Sequence, residues 1–232
     1  RTEHLADTAP DINGRRQVRA RMHRVRAGQV VLATGAHERP LVYANNDAPG
    51  NMVASAVTAY IHRYAVVPGK TLVVSTANDD GYRAAIAWKQ AGHAVAAIAD
   101  VRDTPDGDLV EKARELGIRI ITGSAVIEAK GSNRASGARI AKIDLQRFCV
   151  SGAVEELACD TIATSGGFSP VIHLASHTGA RPTWRDDLIC FVPGLVEGVH
   201  ACGGANANYA LSSLFSEAVD VAARAVAALG MS

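Results

Sequence analysis

Two stretches of this sequence end an apolar run in small residues, and both could bring bare main chain against an anionic ligand. Val30-Val31-Leu32-Ala33 runs into Thr34, Gly35 and Ala36. Val199-His200-Ala201-Cys202 runs into Gly203, Gly204, Ala205 and Asn206, just ahead of a long amphipathic segment. At the carboxyl ends of strands in an open α/β sheet, small residues let backbone N–H groups approach a cofactor in the crevice. Glycines opening a helix likewise offer amides to a pyrophosphate. A tight strand exit and an ordinary strand-to-helix turn would read the same way, so both alternatives stay open for each motif. On the cofactor reading Thr34, Gly35, Ala36, Gly203, Gly204, Ala205 and Asn206 line the ligand, with the amides of Gly35, Ala36, Gly204 and Ala205 making the contacts.

A third stretch, Ser75-Thr76-Ala77-Asn78-Asp79-Asp80-Gly81, stands where a dinucleotide-binding turn would carry glycines. Asn78 or Asp79 suits a helix N-cap, and acids suit the positive end of a helix dipole. The same carboxylates fill the space and field that a pyrophosphate needs, and each like-charge contact in a partly buried site costs on the order of a kcal/mol or more. The stretch reads as a degenerate nucleotide unit kept for structure. Asp100, where a ribose-binding acid belongs, and Arg102 beside it, where an arginine could meet phosphate, keep a nucleotide reading open. His37-Glu38-Arg39 could line the crevice or form a solvated ion pair. His173 and His177 stand four apart, yet no third metal ligand is near in sequence, so no metal site is expected. Trp88 and Trp184 read as packing residues. Neither G-x-S-x-G nor H-E-x-x-H occurs, which leaves hydrolase chemistry without support.

The elements that position these residues follow from pattern. The 232 residues are 48% hydrophobic and 20% charged, which excludes disorder, and 24 basic against 23 acidic side chains argue against a nucleic-acid partner. No apolar run approaches the roughly 20 residues of a membrane span, and no signal-peptide core opens the chain, so a soluble cytoplasmic protein is expected. The cysteines Cys149, Cys159, Cys190 and Cys202 form no C-x-x-C pair and read as reduced, mostly buried thiols. The first residue is Arg1, and a fragment of a longer polypeptide is expected.

Residues 1–16 read as loop, 18–25 as an edge or hairpin strand, 37–50 as loop and 52–64 as helix. Thr71–Thr76, His93–Asp100 and Ile118–Ile121 read as buried strands separated by helices over about 79–91 and 106–116, a βαβαβ unit. Alternating segments near 124–130, 138–146 and 153–158 predict an antiparallel meander. A buried strand returns at 159–167, a short helix is expected over 170–178 with Pro170 in its first turn, and another strand over 198–204. The final helix, about 208–229, shows an apolar stripe of Leu211, Leu214, Phe215, Ala218, Ala222, Val226 and Leu229. The fold class expected is α/β: a doubly wound βαβαβ unit with a small antiparallel meander, spanning 67–158. It is inserted into a second, discontinuous domain formed by 1–66 and 159–232, which the family resemblance given next implies to be a partial FAD/NAD(P)-binding Rossmann-like domain.

Three runs carry a family resemblance. Val30 through Met52, Thr76-Ala77-Asn78-Asp79-Asp80-Gly81-Tyr82-Arg83-Ala84-Ala85, and Ser165-Gly166-Gly167-Phe168-Ser169-Pro170-Val171-Ile172-His173-Leu174 resemble the alpha subunits of heterotetrameric sarcosine oxidases. The resemblance covers residues 25 to 230 approximately; opine oxidase and hydrogen cyanide synthase subunits share parts of it. It implies a pyridine-nucleotide–disulfide-reductase-like portion that holds NAD. It also implies a partner beta subunit with FAD and the amine-oxidising site, and FMN between subunits. The implied reaction is oxidative demethylation of sarcosine, with oxygen reoxidising the flavin. This chain would be the NAD-holding part of such a complex, with no catalytic residue of its own. The alternatives are a non-catalytic assembly module with vestigial nucleotide folds, or a subunit of a related opine or amine oxidase. The chain departs from the family in lacking any G-x-G-x-x-G and the folate-related portion, so the isolated chain is expected to be inactive and to bind NAD weakly or not at all.

Overall fold

The computed structural model describes residues 2–4, 20–147 and 149–231. The chain begins with β1 (Thr2–His4), β2 (Ala20–Met22), β3 (Val30–Leu32), β4 (Ala36–Glu38) and β5 (Asn51–Val53), then α1 (Ala54–Tyr64). Next come β6 (Thr71–Thr76), α2 (Asp80–Gln90), β7 (Ala94–Asp100), α3 (Asp108–Glu115) and β8 (Ile120–Thr122). The meander is β9 (Ser124–Lys130), β10 (Gly137–Asp144) and β11 (Cys149–Ala158), followed by β12 (Thr161–Ser165), β13 (Phe168–Pro170) and α4 (His173–Ser176). The chain ends with β14 (Thr183–Arg185), β15 (Cys190–Val192), β16 (Val199–Ala201), a 3₁₀ turn (Gly203–Asn206) and α5 (Leu211–Ala228). No helix among the described residues is long and apolar enough to cross a membrane.

Two compact units divide the chain. One takes residues up to Thr34, Ile172–Thr183 and those from Val192 on; the other takes Gly35–Val171 and Trp184–Phe191. The larger unit is built on a five-stranded sheet in the order β5-β12-β6-β7-β8, parallel throughout. Its central strand explains the layers. Leu72, Val73 and Val74 are fully buried, as a parallel strand covered on both faces requires. Leu72 and Val74 pack with Tyr82, Trp88 and Val110 of the helices. Val73 points the other way, to Val126, Ala138 and Ile140 of the meander. The Ser75 hydroxyl accepts the Val126 N–H at 3.1 Å and pins the meander to the sheet.

The βαβαβ unit and the meander thus stand where the periodicity predicts them. The expected limits of 67 and 158 are narrower than the compact unit, because β5 and β12 lie outside them and still hydrogen-bond into the same sheet. The loop expected from residue 37 contains most of β4, which pairs antiparallel with β13. That ladder absorbs Pro170, so the helix expected there starts only at His173; proline at a ladder's edge gives up no central hydrogen bond.

In the smaller unit β3 and β16 pair in parallel, β1 and β2 antiparallel. Of the loop expected over 1–16 only 2–4 is described, and it is strand. The buried side of α5 is Val221 and Ala225. The stripe expected from the sequence is largely on the outside, Leu211 at 68% and Phe215 at 62% exposure. The helix is apolar over a wide arc, and a two-stranded sheet covers only part of it.

Two contacts make the larger unit's fold testable. A Cβ on Gly81 would lie 2.5 Å from Thr76 Cβ, so α2 starts in direct contact with the end of β6. Gly81→Ala should destabilise this unit by about 1–3 kcal/mol through overpacking, read as a lower denaturant midpoint. An unchanged midpoint would show that α2 does not bear on β6. At the opposite end of the sheet, the Asp160 carboxylate accepts the Lys70 N–H at 2.9 Å and the Thr71 N–H at 3.1 Å. Burial pushes this carboxyl up, but the two amides and the Thr161 hydroxyl outweigh it and hold it below the usual range. A depressed folded pKa contributes stability that is complete above the unfolded value of about 3.9 and is lost as pH falls through the folded value. The stability gap between the wild type and Asp160→Asn should therefore be constant above about pH 5 and close below about pH 4. Denaturation curves across that range check it.

Candidate functional site

The parallel ladder of β3 and β16 aligns Val30 with Val199 and Leu32 with Ala201, and the Cys202 N–H donates to the Leu32 carbonyl at 3.0 Å. The exits toward Thr34 and Gly203 therefore leave the same edge of one sheet, side by side. β3 can hold this place because Val30 N–H reaches the Gly198 carbonyl at 2.8 Å and His200 pairs with Gln29 at 2.8 Å, fixing the ladder at its start. Past β16 the chain turns at Gly203, whose φ of +65° is left-handed. Gly204, Ala205 and Asn206 follow in the 3₁₀ turn, closed by bonds from Ala207 N–H to the Gly204 carbonyl and Asn208 N–H to the Gly203 carbonyl.

One side chain organises this turn. Glu217, in the second turn of α5, accepts the Gly203 N–H at 2.8 Å, Asn206 Nδ2 at 2.6 Å and Asn208 Nδ2 at 3.1 Å. The Ser213 hydroxyl donates to Asn208 Oδ1 at 2.6 Å, which turns the Asn208 amide so that its nitrogen faces Glu217. Burial pushes the Glu217 carboxyl up; the Asn206 side chain, the Gly203 amide, Asn208 and Arg224 outweigh it and hold the group low and ionised. The Gly203 amide is thereby spent within the protein. Within the turn Gly203 and Ala205 are buried, while Gly204 and Asn206 are partly exposed. Sequence reasoning singled out the turn and missed Glu217. Its signal was present: a lone acid on the same helical stripe as Leu214, Val221 and Ala225.

Gly35 and Ala36 belong to the larger unit. The Gly35 carbonyl accepts the Val171 N–H at 2.9 Å, and Ala36 is aligned with Pro170 in the β4–β13 ladder. Glu38 and Arg39 do not pair with each other: Glu38 Oε2 accepts the Ser55 N–H at the start of α1, and Arg39 Nη1 donates to the Ile189 carbonyl.

The carboxyl edge of the five-stranded sheet is closed by its own side chains. Asn78, where a dinucleotide turn wants a glycine, accepts the Asp80 N–H and the Ser165 hydroxyl through Oδ1. Asp100 is fully buried and accepts the Tyr82 hydroxyl at 2.8 Å, the Arg102 N–H at 2.9 Å and Arg102 Nη2 at 2.9 Å. Arg102 Nη1 reaches across to Asp79 at 3.0 Å. The bonds to Asp100 raise Arg102 further above its ordinary value, and burial together with Asp100 raises the Tyr82 phenol. The acid expected to bind ribose and the arginine expected to bind phosphate thus satisfy each other.

Among the described residues no group of three His, Cys, Asp or Glu side chains is placed to hold a metal ion. All four cysteines are free; Cys159 is buried and its thiol is pushed up to about 12, chiefly by that burial. Trp88 is buried in the core, and Trp184 rests edge-on against Phe191 at 5.0 Å between ring centres.

No family model matches the chain. It is 39% identical over 212 residues to sarcosine oxidase subunit alpha of Rhizobium meliloti (strain 1021), and 39% identical over 215 residues to that of Corynebacterium sp. (strain P-1). Both matches cover 91% of this chain but only 20% and 22% of the relatives, so the chain spans about a fifth of their length. Among solved structures, T. acidophilum thioredoxin reductase is similar with a TM-score of 0.62 at 18% identity, covering 87% of this chain and 64% of that one. L-Proline dehydrogenase from P. horikoshii gives 0.60 at 19% identity, covering 88% and 35%. At these identities the likeness is one of fold. The chain is homologous to one portion of the sarcosine oxidase alpha subunits and carries the Rossmann-like α/β fold of FAD- and NAD(P)-binding oxidoreductases.

Proposed function

We propose that this chain is the nucleotide-holding part of an oxidoreductase alpha subunit of the sarcosine oxidase type, with NAD resting at the carboxyl ends of β3 and β16. The observation that carries this reading is the parallel pairing of those strands, which sets Thr34 and the Gly203–Asn206 turn on one sheet edge. The residues present fit the group. Small residues border the edge, and Gly204 is partly exposed on it, where its main chain could meet a ligand. The edge beyond β6 does not fit, because Asn78, Asp79, Asp100 and Arg102 fill it.

When bound, NAD would supply a nicotinamide ring able to accept hydride. This chain's own part is to hold: the partly exposed main chain at Gly204 would lie against the nucleotide, and Thr34 borders the same edge. No side chain here is assigned to reacting atoms. Amine oxidation belongs to a beta subunit carrying FAD, with FMN between the subunits. Sarcosine is the substrate the homology favours, and turnover of sarcosine against opines by the whole complex decides it.

A second reading applies to the inserted unit alone, favoured by the Asp79–Arg102–Asp100 bridge: that unit is structural and holds no nucleotide.

Two experiments test these assignments. Nucleotide released on denaturing the complete complex should be one NAD per chain from this subunit, and Gly204→Val should remove it while assembly persists. A wild-type complex without NAD, or a variant that keeps it, overturns the assignment. Arg102→Ala should leave NAD content unchanged and lower stability by on the order of 3 kcal/mol, because the buried Asp100 carboxylate loses its counter-ion. Loss of NAD on that substitution would instead place the nucleotide at the edge beyond β6.

A further inference from the structure

α5 is apolar over a wider arc than its own sheet uses. The helix turns about 100° per residue, so Leu214, Ala218, Val221 and Ala225 fall on one line along it. Leu211, Phe215, Val219, Ala222 and Val226 fall on a second line, about a quarter turn away. The first line faces β3 and β16: Val221 and Ala225 are buried, and Leu214 stands against Gly203. The second line is bare from end to end, with Val219 at 68% exposure and Ala222 and Val226 exposed beyond it. A third line, Ser212, Ser216, Asp220 and Arg224, is polar and is the one suited to water. A helix lying on the surface of a protein needs only one apolar stripe. This one has two, side by side.

The sheet beneath α5 is unfinished too. Among the described residues it has two strands, β3 and β16, whereas parallel strands are ordinarily covered on both faces within a larger sheet. Val30 and Val31 are successive residues and point to opposite faces, yet they are 39% and 43% exposed. β16 is better covered, with Val199 and His200 partly buried and Ala201 buried. Of the two strands, β3 is the one left bare. A further strand alone would leave the second line of α5 open, and a further helix alone would leave β3 open. A parallel strand together with its crossover helix covers both, because helices on one face of such a sheet pack side by side, roughly 8–10 Å apart.

We infer that β3 and the outer stripe of α5 form a docking surface for a further apolar β-strand and its helix, supplied by the part of the alpha subunit that lies outside these residues. Length favours that source. The portion of the relatives homologous to this chain is about a fifth of their length, so about four fifths of such a subunit is other chain. A segment tethered beside the surface meets it at an effective concentration of about millimolar, which favours it over a second copy or a separate partner. The inference rests on the homology to those subunits and is independent of where NAD lies.

The test uses the complete complex. Phe215→p-benzoylphenylalanine places a photoreactive ring on the outer stripe, and mass spectrometry identifies what it captures. The expected product joins α5 to a peptide of the same subunit from outside these 232 residues, without the doubling of mass that a second copy would give. Capture of a peptide from within these residues, of a second copy or of another subunit overturns the inference, and so does a ring that captures nothing. Thiol labelling reads the cover independently. Val219→Cys and, as a reference on the polar line, Ser216→Cys are each treated with maleimide in the native complex, and the α5 peptide is quantified. A covered stripe should slow Val219→Cys at least tenfold relative to Ser216→Cys; equal rates overturn the inference. If the photoreactive variant fails to assemble, Val226→Cys, which removes little volume, repeats the labelling comparison, and equal rates again overturn it. Neither readout involves NAD, so failure of the cofactor assignment leaves this test intact.

Discussion

From Leu72 to Thr76 every residue of β6 is buried, and that burial dictates what stands on either side of the strand. Successive side chains point to opposite faces, so one layer cannot cover them. The helices take Leu72 and Val74, the meander takes Val73, and Ser75 spends its hydroxyl on the meander's backbone. Both neighbours of β6 must then be parallel strands of similar character. One of them, β12, is reached only after the meander has been laid down. The larger unit is thus a consequence of one strand without a solvent face.

That constraint explains which parts of the fold were legible. Thr71–Thr76, Ala94–Asp100 and the two helices around them announce themselves, because continuous apolar runs bounded by glycine have few other uses. β5 and β12 read as strands or helix starts, yet nothing in their residues says which sheet they join. Pairing across more than a hundred residues leaves no local trace. β4 and β13 are three residues each, too short for any periodicity to register. On α5 the apolar arc is wide, and only tertiary context selects Val221 and Ala225 as its inner side.

The candidate site was legible in its main chain and illegible in its side chains. Small residues after Leu32 and Ala201 suggested backbone exposed to a ligand, and the ladder brings those exits to one edge. Glu217 was hidden because a single acid on a helix is ordinarily a solvated one. Asp100 and Arg102 stand two apart in sequence, but sequence could not show that Asp100 is fully buried with Arg102 as its counter-ion. The two sheet edges now contrast in electrostatic terms. One spends its charges internally and closes; the other fixes the Glu217 carboxylate with neutral amides.

The ladder between β3 and β16 joins residues from nearly opposite ends of the chain. Everything between them, the whole five-stranded sheet included, must be synthesised before these strands can meet. Because a nascent chain emerges amino end first, Val30 and Val31 wait without their partner while the larger unit folds. That folding also draws the flanks of the long intervening segment together and shortens the loop left to close. The turn at Gly203 therefore takes its place after the larger unit has emerged. A chain released before Val199 would carry the core of the larger unit and no β3–β16 ladder.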